Sequence, residues 1–75
     1  MRIISQNGYD FPYEQILVYL DERKICCKSI SKPEGRYFLL GEYDTKERAK
    51  EVFREIQRTY KTCNIDCLVY VMPEE

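Results

Sequence analysis

The chain has 75 residues, with seven Tyr, three Phe and four Cys but neither His nor Trp, enough for one small domain over residues 1–75 that buries about 60% of its unfolded surface and too short for two. Without His there is no side chain that titrates near neutrality when unperturbed, which excludes His-dependent acid–base catalysis, Ser-His or Cys-His nucleophiles and His-ligated metals. The 12 Lys and Arg against 13 Asp and Glu leave a formal net charge of −1, which argues against general nucleic-acid binding and against a strongly acidic mimic of DNA.

In chain order, Arg2 to Ser5 predicts a first strand, ended by the Asn7-Gly8 turn signal. Tyr9-Asp10-Phe11-Pro12-Tyr13-Glu14 sets three rings around a proline; it reads as an ordered connection whose rings pack down, or as the lip of a ligand site. From Gln15 to Asp21, Ile16, Val18 and Leu20 alternate with Leu17, Tyr19 and Asp21, a strand with one aliphatic and one mixed face. Glu22-Arg23 is a hairpin break, and Lys24 to Ile30 follows as a strand with Ile25, Cys27 and Ser29 on one side and Cys26, Lys28 and Ile30 on the other. Ser31 to Gly35 has turn chemistry throughout.

Arg36 to Tyr43 is a fourth strand, with Phe38 and Leu40 on one face and Tyr37, Leu39 and Tyr43 on the other. Apolar groups on both faces make it either central or a contact with another subunit. Asp44 stands where an N-cap belongs and Glu47 completes a capping-box pattern. The stripe Ala49, Val52, Phe53, Ile56 and Tyr60 then predicts an amphipathic helix. Its flank carries Lys46, Lys50, Arg54, Arg58 and Lys61, with Glu47, Glu51 and Glu55 as i, i+3 partners of Lys50, Arg54 and Arg58. After Asn64, a stop, Asp66 to Met72 predicts a last strand, followed by the acidic tail Pro73-Glu74-Glu75.

The order β-β-β-β-α-β implies an α+β fold, a mostly antiparallel sheet of four to five strands with one amphipathic helix on one face. The last strand beside the first would keep the sheet antiparallel; its exchange between subunits is the alternative. The uncovered face then draws on Leu17, Tyr19, Tyr37, Leu39, Tyr43 and Cys27 or their alternates, too apolar for water without a functional reason, and dimerisation or a partner protein resolves it. No apolar run approaches the roughly 18 residues of a membrane span, and none has signal-peptide length. The expectation is a soluble, cytoplasmic protein with reduced cysteines. Cys26 and Cys27 are adjacent, Cys63 and Cys67 four apart, and the paired knuckles of a zinc site are missing, so the thiols read as small buried hydrophobes; no metal and no cofactor is expected.

The segments MRIISQNG, FPYEQ and YDTKERAKEVFREIQRTY resemble a group of very short prophage and mobile-element proteins of Gram-positive bacteria. Those open with a similar MRIISQDG, continue with an LPYE-type segment and carry a YSTEEKA-type capped helix. The likeness covers the first 15 residues and Gly41 to about Tyr60, and its motifs are structural. It implies a phage-derived accessory protein, a category that includes inhibitors of bacterial immune systems.

Three function classes follow. The first is a non-enzymatic, homo-oligomeric binding protein, an anti-defence (anti-CRISPR-like) inhibitor that blocks a host protein such as a defence effector through the apolar sheet face or the helix flank; its candidate binding residues are Tyr37, Leu39, Tyr43, Tyr19, Arg36, Lys28, Lys50 and Arg54. The second sequesters an anionic small ligand such as a nucleotide signal, with Tyr9, Tyr13 or Tyr37 stacking on a base and Arg36, Lys28 or Arg54 holding phosphate. No glycine-rich phosphate loop supports it, since Gly8, Gly35 and Gly41 are isolated. An enzyme ranks below both, because acid, base and nucleophile sets cannot be assembled in a recognisable arrangement. A structural phage protein without immune role is a further reading.

Overall fold

The computed structural model describes residues 1–32, 34–62 and 69–75. Six strands and one helix among the described residues follow in the order β1 (Arg2–Ile4), β2 (Asp10–Pro12), a 3-10 turn (Tyr13–Gln15), β3 (Ile16–Asp21), β4 (Lys24–Ser29), β5 (Phe38–Glu42), α1 (Lys46–Lys61) and β6 (Val69–Val71). The fold is α+β with a single helix, as its periodicity predicts, but the strands form two three-stranded sheets, β2-β1-β6 and β3-β4-β5, instead of one.

The first sheet begins with a hairpin. Gly8 takes φ 89 in the turn after Asn7, its N–H donates to Ser5 O, and the buried Ser5 hydroxyl accepts from Tyr9 N–H. That geometry returns the chain antiparallel onto β1, with Ile3 opposite Phe11. The segment around Pro12 is therefore a strand as well as a connection. It lies on the sheet edge, where the missing proline N–H leaves no ladder bond broken. On the other side β1 pairs with β6, Arg2 opposite Val69 and Ile4 opposite Val71, and the pairing is parallel, not antiparallel. The last strand sits beside the first; the expected start at Asp66 lies outside the described residues.

The second sheet is a meander. β3 and β4 pair from Ile16 opposite Ser29 to Asp21 opposite Lys24. Their two-residue turn places Glu22 at φ 54, a left-handed conformation that costs a side chain with a Cβ about 1–2 kcal/mol. Glu22→Gly is accordingly expected to raise the unfolding free energy by about 1 kcal/mol, read as a higher urea midpoint at unchanged slope. β4 and β5 pair through a bulge: Ile25 faces Gly41 whereas Cys26 faces Leu39, leaving Leu40 extra.

That bulge corrects one expectation. Strict alternation puts Tyr43 on the face of Tyr37 and Leu39, but an extra residue reverses the parity of everything after it. Tyr43 turns inward, 3% exposed, and its hydroxyl donates to Pro73 O at 2.9 Å.

Helix α1 is capped by Thr45, whose hydroxyl accepts from Arg48 N–H, one residue later than the expected Asp44. Ala49, Val52 and Ile56 are buried, Phe53 is partly so, and Tyr60 leaves the core to meet the Tyr13 ring in a tilted contact at 4.6 Å. The helix rests on the inner sides of β3 and β4. With them, Met1, Ile3, Ile25, Cys27, Leu40, Tyr43, Tyr70 and Met72 make one core shared by both sheets. The Met1 ammonium bonds Glu14 Oε2 at 2.7 Å, a contact that draws the Glu14 carboxyl below its ordinary range.

The two sheets are stitched by Gln6. Its N–H donates to Leu40 O, its Oε1 accepts from Glu42 N–H, and its Nε2 donates to Pro73 O at 2.8 Å. The acidic tail is thus ordered, and Arg48 Nε and Nη2 hold Glu75 O at 2.9 and 2.7 Å. No described helix is long and apolar enough to cross a membrane.

Candidate functional site

Because α1 and the first sheet cover only the inner side of β3-β4-β5, the outer side faces solvent. Alternation and the observed pairing place Leu17, Tyr19 and Asp21 of β3, Lys24, Cys26 and Lys28 of β4, and Leu39 of β5 on it. Tyr37, two residues before Leu39, joins the same face. Leu17 and Tyr37 are 57% and 59% exposed, and Tyr19, Lys28 and Leu39 are half-buried. Cys26 is 1% exposed although it lies on the open side. Its neighbours Tyr19 and Leu39, directly opposite on the flanking strands, close over it. The face is a continuous side-chain surface with a sealed centre.

Its electrostatics are muted. Lys28 Nζ lies 5.8 Å from the Tyr19 ring centroid, a cation–π contact that lets the ammonium rest on the apolar surface. Burial pushes the Cys26 thiol up, with Asp21 adding to it. The Tyr19 hydroxyl is raised by burial first, then by Cys26, Asp21 and Tyr37. Cys27, across the strand in the core, is pushed up to about 11 by burial. Neither thiol is a thiolate at neutral pH, and the thiolate is the reactive form. Among the described residues Cys26 and Cys27 are free, and no group of three or more His, Cys, Asp or Glu is placed to hold a metal ion.

Of the eight candidate binding residues, Tyr19, Lys28, Tyr37 and Leu39 are brought together here. Arg36 is exposed immediately before Tyr37. Tyr43 is in the core. Lys50 and Arg54 are exposed on α1, which lies against the inner side of the same sheet, so the sheet separates them from Lys28. The helix flank is also less paired than its spacing implies. Its recorded ion pair among the described residues is Arg48–Glu51 at 2.7 Å, while Glu55 accepts from the Tyr70 hydroxyl at 2.6 Å.

Comparison with family models, with curated proteins and with solved structures finds no match for this chain. The site therefore stands on its own geometry. Sequence spacing drew Leu17 onto the uncovered face without taking it as a binding residue, and it drew Cys27 there as well, whereas the register turns Cys27 into the core and puts Cys26 at the centre of the face. The signal was present in the period-two pattern of β3 against β4, and only the register decides which residues meet. A second aromatic run was legible only in part: Tyr9, Phe11 and Phe38 form a chain of rings at 6.4 and 5.6 Å that bridges β2 and β5. Tyr9 and Phe38 are exposed, but Phe11 packs on the core, so these rings close the junction between the two sheets.

Proposed function

We propose that this protein is a non-enzymatic binding protein that acts by contact, with the outer face of β3-β4-β5 as its working surface. The observation that carries the reading is the convergence of Leu17, Tyr19, Tyr37 and Leu39 around the sealed Cys26. Tyrosines supply large contact area at low conformational cost, and a central apolar cluster with charged residues confined to its margin is the composition of a protein interface rather than of a phosphate site. The protonated thiols and the lack of His agree with a role without catalysis.

The partner is a host protein, and the resemblance to short prophage proteins favours a defence effector blocked by occupation of its surface. The anionic-ligand reading ranks second, since Lys28 and Arg54 are on opposite sides of the sheet and cannot hold one phosphate. In affinity capture from host cells with quantitative mass spectrometry, Tyr37→Asp is expected to lose the retained partner by about tenfold or more at unchanged far-ultraviolet spectrum, and Lys50→Glu with Arg54→Glu to keep it. Equal retention by Tyr37→Asp, or loss confined to the helix variant, sinks the reading.

A further inference from the structure

Strand edges carry unpaired backbone groups that must be satisfied or protected. The two sheets have four edges. β2 carries Pro12, and β6 spans three of the described residues. The outer side of β5 is closed by Gln6, which binds both Leu40 O and Glu42 N–H. β3 is different: it is a six-residue edge strand, Ile-Leu-Val-Tyr-Leu-Asp. It has no Pro, no Lys and no bulge.

The register shows which groups it offers. Ile30 N–H donates to Gln15 O, so the directly opposed pairs 15/30, 17/28, 19/26 and 21/24 are the hydrogen-bonded ones of the antiparallel ladder. Ile16, Val18 and Leu20 then aim their backbone outward. Ile16 N–H is taken by Tyr13 O. Val18 and Leu20 have no backbone partner on that side among the described residues.

We propose that this edge pairs with β3 of a second copy, antiparallel about a two-fold axis through Val18, to give a continuous six-stranded sheet in a homodimer. Hydrogen-bond parity allows only registers in which outward residues meet outward residues. Centring on Val18 sets Ile16 opposite Leu20 of the second copy and Leu17 opposite its Tyr19. The inner aliphatic row continues unbroken across the axis, and so does the outer Leu-Tyr row. Val18 N–H donates to Val18 O of the second copy and Leu20 N–H to its Ile16 O, each repeated by the two-fold, while Ile16 N–H stays with Tyr13 O.

Charge is compatible with the same register. The stretch Ile16–Leu20 is uncharged, so no like charges meet, whereas sliding the axis to Asp21 would set two carboxylates face to face. The occupant also has somewhere to sit. Tyr19 of the second copy, opposite Leu17, falls at the rim of a hollow of about 440 Å³ lined by Ile16, Leu17, Lys28, Ser29 and Ile30. Leu17 and Ile30 are each 57% exposed there. The closed two-fold assembly leaves the outer faces of both copies side by side, so the inference goes beyond the single binding face and stands independently of what that face binds.

Sedimentation equilibrium combined with residue-resolved amide exchange tests the pairing. The expected mass is twice the 9.1 kDa of the chain, with Val18 and Leu20 amides exchanging at least about tenfold more slowly under dimer-populating conditions than at dilution. Leu17→Lys is at a mostly exposed position, and in the dimer it puts two added lysines at diagonal positions about 7–8 Å apart across the axis; the dissociation constant is expected to rise by about tenfold or more at unchanged far-ultraviolet spectrum. Tyr37→Asp, away from the edge, is expected to leave the dimer intact, which separates a failure here from a failure of the binding face. A monomer at all concentrations, a dimer with fast Val18 and Leu20 amides, or a dissociation constant indifferent to Leu17→Lys overturns the proposal.

Discussion

Gln6→Ala is expected to lower the unfolding free energy by about 2 kcal/mol, measured by urea titration followed by far-ultraviolet circular dichroism. A half-buried glutamine on a surface normally contributes far less, but this one is bonded at both ends of its amide to different segments. Truncation leaves Glu42 N–H without the Oε1 acceptor at 2.9 Å and takes from Pro73 O its 2.8 Å donor. Each lost hydrogen bond is worth about 0.5–1.5 kcal/mol net, and because Pro73 O keeps the Tyr43 hydroxyl and Glu42 is exposed, the cost is the sum of the two bonds and not a buried orphan's penalty. Gln6→Glu makes the point sharper. It keeps an acceptor for Glu42 N–H but sets a carboxylate against the carbonyls of Pro73 and Glu74, so it is expected to rescue little or nothing.

Gly41→Ala is the second large effect, about 1–3 kcal/mol in the same measurement. A Cβ built there meets Tyr43 Oη at 2.8 Å, Tyr43 Cε2 at 3.1 Å and Gln6 Cδ at 3.2 Å. All three belong to side-chain ends, which in an open site could swing away. Here Tyr43 is buried with its hydroxyl on Pro73 O, and Gln6 is tied on two sides. Yielding therefore breaks hydrogen bonds. The double-mutant cycle has a definite sign: in a Tyr43→Phe background, which removes the tightest contact, Gly41→Ala is expected to cost less than in the native chain. Equal costs in both backgrounds would place the strain elsewhere.

What the sequence disclosed follows how local each determinant is. The helix was legible because its stripe, Ala49-Val52-Ile56, and its bounding polar residues lie within one segment. The β3-β4 hairpin was legible for the same reason, its alternation and Glu22-Arg23 break being adjacent. β2 was hidden by Pro12, which argues against a strand unless the strand is an edge, and edge status is a fact about β1 and β6. The parallel pairing of β1 with β6 joins Arg2 to Val69, and no periodicity reports a partner that distant.

The candidate face was half-read in the same way. Tyr19, Lys28, Tyr37 and Leu39 follow from period two, whereas Tyr43 was misplaced by a single extra residue at Leu40. Gln6 carried no signal at all. A lone glutamine after a short strand is silent until Leu40, Glu42 and Pro73 arrive around it.

The parallel joining of β1 to β6 also orders events in time. The β1-β2 and β3-β4 hairpins and the helix need only neighbouring residues, so they can form early and quickly. The first sheet gains its third strand only when Val69–Val71 returns across the whole chain, and the Gln6, Tyr43 and Arg48 contacts to the tail depend on that return. Loop closure over so long a separation is expected to be the slow step, and interactions made after it influence unfolding more than folding. Weakening the tail contacts therefore shortens the lifetime of the native state while leaving its rate of formation nearly unchanged.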